Sequence, residues 1–131
     1  MLRSGIINPD LLAGLARLGH TDTFVIADPG LPVPYDVPIV DLSFVYGSPT
    51  FREILEGIAQ QAVIESAILA DEARETEVVT WVSDALDVPV TYVPHEGEEG
   101  LKALVRKASL VVRTGEPTPY ANVVLTTGVP F

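Results

Sequence analysis

One stretch of the chain reads Thr23-Phe24-Val25-Ile26-Ala27-Asp28-Pro29-Gly30. It is β-branched and apolar up to Ala27, and the Pro-Gly pair ends it, which is typical of a buried strand. A continuous apolar strand, without alternating polar residues, is covered on both faces. Such strands occur mainly in parallel sheets that pack between helices, so this stretch predicts an α/β fold.

Helices and strands alternate along the rest of the chain. Asn8 and Pro9 suit the start of a first helix, and Thr50 suits the start of a second. The patterns predict helices over 9–18, 50–61, 76–86 and 98–107, and strands over 23–28, 39–44, 62–70, 88–93, 110–113 and 121–127. We therefore expect a single domain over residues 1–131, with a mainly parallel sheet flanked by helices.

The composition excludes several classes of function. The chain has 131 residues, of which 47% are hydrophobic, and this length is enough for one packed core. Its 18 acidic and 8 basic residues give a formal net charge of −10, which disfavours nucleic acids and anionic membranes as partners. There is no cysteine, so disulfides, thiolate catalysis and thiolate zinc sites are excluded.

The remaining sequence signals argue against membranes, nucleotides and metals. No apolar run reaches the roughly 18–20 residues of a membrane span, and residues 1–10 do not resemble a secretory signal, so a cytoplasmic location is expected. No Gly-rich phosphate loop or Gly-x-Ser-x-Gly motif occurs. The only histidines are His20 and His95, and their surroundings show no metal-ligand spacing. We therefore expect no metal and no nucleotide cofactor.

Polar residues follow the ends of two predicted strands. Asp28 closes the strand 23–28, and His95 follows the strand 88–93, one residue after Pro94 ends it. Ligands of open α/β sheets bind beyond the carboxyl ends of the strands, so these two residues predict a site at that edge. His20 precedes its strand, so it reaches this edge only if the helix returns across the sheet or a neighbouring subunit supplies it. Asp28 could equally be a turn residue, and His20 could simply favour a helix terminus.

Tyr120 and Asn122 form a second candidate group. They lie two residues apart, so in an extended chain their side chains share a face. A phenol and a carboxamide offer neutral hydrogen bonds and an apolar ring, which suit a small polyhydroxylated ligand. The alternative is a rigid Pro-rich turn in which Tyr120 only packs.

Four motifs together resemble one known family. They are Leu18-Gly19-His20-Thr21-Asp22, then Ala27-Asp28-Pro29-Gly30-Leu31-Pro32-Val33-Pro34, then His95-Glu96, and finally Arg113-Thr114-Gly115-Glu116 with Pro119-Tyr120-Ala121-Asn122. In this order they resemble the ribose branch of the RbsD and L-fucose mutarotase family. The resemblance covers nearly the whole chain.

The resemblance implies D-ribose pyranase activity, which interconverts the pyranose and furanose forms of D-ribose without a cofactor. It also implies a cytoplasmic homo-oligomer, in the family a ring of ten copies. It assigns proton transfer to His20, and it assigns sugar binding to Asp28, His95, Tyr120 and Asn122. Two other functions stay open at this point: a mutarotase for another sugar such as L-fucose, and a ribose-binding accessory protein without turnover.

Two parts of the sequence bear on this assignment. His95 and the loop 30–34 favour ribose over fucose, because the fucose branch has an arginine at the position of His95 and lacks that loop. In contrast, Pro29 and the long acidic segment 96–100 depart from the family pattern. Because of that longer segment, Lys102 is not included among the ligands.

Overall fold

The computed structural model describes all residues from 1 to 131. The four α-helices are α1 (Pro9–Ala16), α2 (Phe51–Ala59), α3 (Val78–Ala85) and α4 (Leu101–Val105). The six strands are β1 (Thr23–Ala27), β2 (Ile39–Asp41), β3 (Ile64–Ala70), β4 (Val90–Val93), β5 (Leu110–Arg113) and β6 (Val123–Thr127). None of the helices is both long and apolar enough to cross a membrane.

The six strands form one sheet in the order β2-β5-β1-β6-β3-β4. β5 pairs in parallel with β1 and β2, and β3 pairs in parallel with β4. Only β6 is antiparallel to its neighbours, β1 and β3. The prediction of a mainly parallel α/β sheet is therefore confirmed. Because β6 runs in the opposite direction, it starts at the edge where the other strands end.

The central strand β1 divides the core into two layers. Phe24 and Ile26 belong to a cluster on one face of the sheet, together with apolar residues of α2 and α3. Val25 and Ala27 belong to a cluster on the other face, where α4 packs. All four side chains are fully buried, as expected when successive residues of a strand point to opposite covered faces.

The helix starts follow the predicted capping residues. Asn8 accepts a hydrogen bond from the backbone N–H of Leu11 at 2.9 Å, and Thr50 accepts one from Glu53 at 3.1 Å. These bonds satisfy backbone donors that have no partner within the helix. The caps hold α1 and α2 at the positions that the sequence indicated.

Several predicted elements are longer than the observed ones. The strand predicted over 39–44 ends at Asp41, because a tight turn pairs Val45 with Ser48 just beyond it. The helix predicted over 98–107 is reduced to α4, since the preceding residues turn at Gly97, whose φ is +97°. A 3-10 helix over Asp71–Glu75 was not predicted. Side-chain patterns locate these elements, whereas local backbone turns determine where they end.

Candidate active site

A cavity of about 260 Å³ lies at the carboxyl edge of the sheet. Four of the five residues predicted for the site line it: Asp28, His95, Tyr120 and Asn122. Asp28 follows β1 and His95 follows β4, whereas Asn122 immediately precedes β6. The reversed direction of β6 thus brings residues from three distant parts of the chain to one edge.

Asp28 and Asn122 bind each other reciprocally. The backbone N–H of Asp28 donates to Asn122 Oδ1 at 2.8 Å, and Asn122 Nδ2 donates to Asp28 Oδ2 at 2.8 Å. Asn122 is only 1% exposed. Both of its polar atoms therefore already have protein partners, and one N–H of the amide is left for a ligand.

The second oxygen of Asp28 organises the loop after β1. Asp28 Oδ1 accepts hydrogen bonds from the backbone N–H groups of Gly30 at 2.8 Å and Leu31 at 2.9 Å. This is the local turn that an aspartate before Pro-Gly favours. Asp28 therefore both forms the turn and lines the cavity, and the turn fixes the orientation of its carboxyl group.

Tyr120 is not in extended backbone, so the expectation based on an extended chain is wrong. Its φ is +61°, a left-handed conformation within a turn that precedes β6. The Tyr120 ring nevertheless reaches the cavity and meets the His95 ring edge-on, with centroids 5.1 Å apart and an interplanar angle of 81°. Such T-shaped contacts between rings are favourable, so each ring holds the other in place.

His95 is fixed through its backbone as well as its ring. Its N–H donates to the carboxyl group of Glu72, at 3.0 Å from one oxygen and 3.3 Å from the other. The ring Nδ1 is buried and has no hydrogen-bond partner in the protein. Nδ1 therefore has hydrogen-bonding capacity that no protein group uses.

Lys102 also lines this cavity, although it was not among the residues predicted for the site. It lies in the first turn of α4, and that helix begins at the carboxyl edge shortly after β4. Its ammonium group pairs with Glu96, and this hydrogen bond lowers the pKa of the Glu96 carboxyl. The position of Lys102 at the start of a helix that follows a strand was the available signal for its place at this edge.

His20 lies at the opposite edge of the sheet. It precedes β1, whereas Asp28 follows it, and the five residues of β1 span about 17 Å at 3.3 Å each. Its side chain is about half exposed, and its Nε2 lies 3.0 Å from Glu65 Oε1 near the start of β3. Helix α1 does not carry His20 to the cavity of its own chain. A single chain therefore holds the five predicted residues in two separate places.

The loop that carries His20 has a constrained backbone. Thr21 has a φ of +69°, which a β-branched residue rarely adopts and which costs about 1–2 kcal/mol. Its N–H donates to the carbonyl of Thr127 at 3.0 Å, and the Thr127 N–H donates to the carbonyl of Asp22 at 2.9 Å. The Asp22 carboxyl in turn accepts from the backbone N–H of Gly19 at 2.8 Å. These bonds to β6 hold His20 in a defined position.

The chemistry of the cavity suits a small polyhydroxylated ligand. A carboxyl group, an imidazole, a phenol, a carboxamide and an ammonium group line the cavity, and together they offer hydrogen-bond donors and acceptors. No three histidine, aspartate or glutamate side chains are grouped as a metal centre requires. The arrangement can bind hydroxyl groups and can place a titratable imidazole beside them.

Comparison with known proteins identifies the family. The sequence matches the model of the RbsD / FucU transport protein family over residues 1–130. It is 47% identical over 131 residues to a protein of Cutibacterium acnes named D-ribose pyranase, and the match covers 100% of both chains.

Two solved structures are similar to the fold. The structure of Bacillus subtilis RbsD complexed with D-ribose has a TM-score of 0.92 and 40% identity, and the match covers 100% of both chains. The structure of the fucose mutarotase from Streptococcus pneumoniae, in complex with L-fucose, has a TM-score of 0.80 and 24% identity, and the match covers 95% of both chains. The second similarity concerns the fold alone.

Proposed function

The chain belongs to the RbsD / FucU transport protein family, and we propose that it is an isomerase that interconverts the pyranose and furanose forms of D-ribose. The observation that carries this function is the full-length similarity to proteins of the ribose branch. These include the D-ribose pyranase of Cutibacterium acnes and the RbsD of Bacillus subtilis, whose structure was solved with D-ribose.

The similarities favour this function over the two alternatives. A fucose mutarotase shares the fold at 24% identity, whereas the ribose-branch proteins share 40–47% identity over the whole chain. A ribose-binding accessory protein needs hydroxyl partners but no proton carrier. Two histidines in a chain with the ribose-branch pattern support turnover instead.

The reaction needs only proton transfers. A base removes the proton from the anomeric hydroxyl, an acid gives a proton to the ring oxygen, and the bond between the anomeric carbon and that oxygen breaks. The open aldehyde rotates, and the hydroxyl on carbon 4 attacks the carbonyl carbon in place of the hydroxyl on carbon 5. One proton leaves the attacking hydroxyl and one returns to the carbonyl oxygen, so nothing is oxidised or reduced.

The roles of the residues follow from their chemistry. His20 is the proposed proton donor and acceptor, because an imidazole titrates close to neutral pH. The proposed sugar-binding residues are Asp28, His95, Tyr120 and Asn122. For Asn122 the contact is limited to the remaining amide N–H.

The separation of His20 from the cavity supports an assembly. If His20 acts on a sugar bound near Asp28, a second copy of the chain must bring its own His20 to that cavity. Phe44 and Tyr46, both more than four-fifths exposed, offer apolar surface for such a contact. We propose a homo-oligomer, with the ten-copy ring of the family as the expected form. The cytoplasmic location stays a prediction from the sequence.

An NMR exchange spectrum of equilibrated D-ribose tests the function. We expect the protein to enhance exchange between pyranose and furanose signals. Enhanced anomer exchange of L-fucose, with no effect on ribose, would instead indicate a mutarotase for another sugar. Line broadening of ribose without exchange between the ring forms would indicate a binding protein.

A further inference from the structure

We infer that Glu65 is a positioning residue for His20, which holds the imidazole as the Nε2–H tautomer and leaves Nδ1 to exchange a proton with the sugar. The inference rests on the proposed role of His20 in the reaction. It concerns a second residue, outside the cavity, that touches neither the sugar nor the reacting atoms.

The contact itself determines which nitrogen carries the proton. Glu65 Oε1 lies 3.0 Å from His20 Nε2, within ordinary hydrogen-bond distance. An ionised carboxyl group can only accept, so Nε2 of the imidazole must be the donor. In the neutral ring Nδ1 then has the free lone pair, and it makes no hydrogen bond within the protein. Nδ1 is therefore the atom that can take a proton from a hydroxyl group.

Neighbouring residues constrain both partners of this contact. Thr127 fixes the His20 loop through hydrogen bonds to the backbone of Thr21 and Asp22. One residue further along, Gly128 lies directly against Glu65. A Cβ atom on Gly128 would approach Glu65 Cγ to 2.7 Å and Oε1 to 2.9 Å, closer than real Cβ contacts. Two adjacent residues at the end of β6 thus constrain the pair: Thr127 fixes the His20 loop, and Gly128 limits the space available to Glu65.

The environment of the pair argues against a role in stability alone. The His20 and Glu65 side chains are 51% and 46% exposed. Ion pairs this exposed contribute little to folding, because water screens them and ordering both side chains has an entropic cost. A weak surface contact does not require the constraints found here, which fix the backbone around His20 and limit the space around Glu65. Such constraints are what a histidine needs if one nitrogen must face a substrate, as in catalytic groups where a third residue orients the base.

Three variants separate orientation from charge and from folding. Glu65→Ala removes the acceptor, Glu65→Gln keeps an oxygen acceptor without the charge, and Gly128→Ala keeps the glutamate but displaces it. We expect Glu65→Ala to lower kcat for ribose exchange by about 10-fold or more, as is typical when the partner of a histidine's second nitrogen is removed. KM should change by less than about 3-fold, since the sugar contacts lie in the cavity. Glu65→Gln should retain most of the activity, and Gly128→Ala should behave like Glu65→Ala.

The second readout is the tautomer of His20, measured by ¹⁵N NMR well above the ordinary histidine pKa of about 6.5. The native protein should show the Nε2–H form, and Glu65→Ala should show a mixture of both forms. The control is Glu56→Gln. Glu56 is paired with Arg52 at 2.7 Å and is 45% exposed, so it matches Glu65 in exposure but has a partner other than His20. That variant should leave kcat and the tautomer unchanged.

The outcomes distinguish this inference from the proposed function. If the native protein does not accelerate ribose exchange, the proposed function fails, and the tautomer measurement alone still tests the contact. If His20→Ala loses activity while Glu65→Ala retains it within 2-fold, the function stands and the inference is wrong. An unchanged tautomer in Glu65→Ala, or a Glu65→Gln variant as inactive as Glu65→Ala, also overturns it.

Discussion

Asp28 and Asn122 are 94 positions apart in the chain, and they join β1 to the start of β6 by two reciprocal hydrogen bonds of 2.8 Å. The contact places a carboxyl group at the cavity while its other oxygen fixes the next turn. Because Asn122 is almost fully buried, one residue supports the fold and the cavity wall at once.

Asn122→Ala should therefore lower both stability and ribose affinity. The substitution leaves the Asp28 N–H without its partner in a partly buried setting, which costs about 1–3 kcal/mol of unfolding free energy. Denaturant unfolding measures that loss, and ribose titration measures the affinity. Thr50→Ala, which removes a helix cap of similar energy outside this cavity, is the control for a general loss of stability. Unchanged unfolding of Asn122→Ala would contradict the structural role.

His20→Ala should reduce exchange of ribose by about 10²-fold or more, because general acid–base catalysis typically supplies 10²- to 10⁴-fold. The side chain is about half exposed, so the free energy of unfolding should change little. NMR exchange rates and denaturant unfolding of the same sample check both parts. Full activity in the variant would rule out His20 as the proton carrier.

Mixed oligomers test whether His20 and the cavity come from different copies. His20→Ala and His95→Ala should each be weakly active alone. Co-expressed in equal amounts, the two variants should recover up to about a quarter of native activity. In about a quarter of the sites, an intact His20 from a His95→Ala copy meets an intact cavity from a His20→Ala copy. Sedimentation velocity checks that the mixture assembles. No recovery in properly assembled mixtures would place both residues of a site in the same copy.

Tyr120→Phe should have a small effect on turnover, whereas Tyr120→Ala should have a larger one. The ring of Tyr120 meets the ring of His95, and the structure gives the phenol hydroxyl no hydrogen bond within the protein. Removing the ring therefore frees His95, while removing the hydroxyl keeps the contact. Steady-state KM and kcat of the two variants make the comparison. An equal loss in both would mean that the hydroxyl group itself binds the sugar.

The decrease of the free energy of unfolding at acidic pH should depend in part on Asp41. Burial alone would raise the pKa of this carboxyl group, but hydrogen bonds from Ser43 and Arg113 outweigh it, so the pKa is lowered. The stabilisation is therefore present above the ordinary value of about 3.9 and is lost as the pH falls through the lower pKa of the folded state.

We expect Asp41→Asn to be less stable than the native protein at neutral pH by under about 1 kcal/mol, since the side chain is 43% exposed and water screens its interactions. The difference should shrink below about pH 4. Unfolding free energies measured across this range check the sign. Asp87→Asn removes an exposed carboxyl group without a hydrogen-bond partner and controls for net charge. A difference that grows in acid would contradict the lowered pKa.

Much of the fold was predictable from local patterns. The strand 110–113 was predicted with its observed bounds, and the caps at Asn8 and Thr50 fixed two helix starts. These features depend on residues close together in the chain: an apolar run between turns, or a side chain that meets a backbone N–H three residues later. The strand 39–44 was overextended because its end is set by a turn between Val45 and Ser48, which its apolar residues do not reveal.

The candidate site was only partly predictable. Asp28 and His95 follow parallel strands, so their common edge could be derived from the chain. The contact between Tyr120 and His95 could not, because it depends on a left-handed turn at Tyr120 rather than on extended backbone. Lys102 was not included among the ligands because the segment 96–100 is long. The direction of α4 nevertheless carries Lys102 into the cavity wall.

The sequence by itself determined the α/β class, the strands that are buried on both faces, and the residue types that suit a sugar. These properties follow from the spacing of apolar residues and from side-chain chemistry, and both can be read from residues that are close together in the sequence. Tertiary structure alone decided which distant residues contact each other at these edges. Reversal of β6 joins Asn122 to Asp28, whereas the direction of β1 puts His20 at the far edge beside Glu65. Strand order and direction arise from packing between distant segments, and no local pattern encodes them.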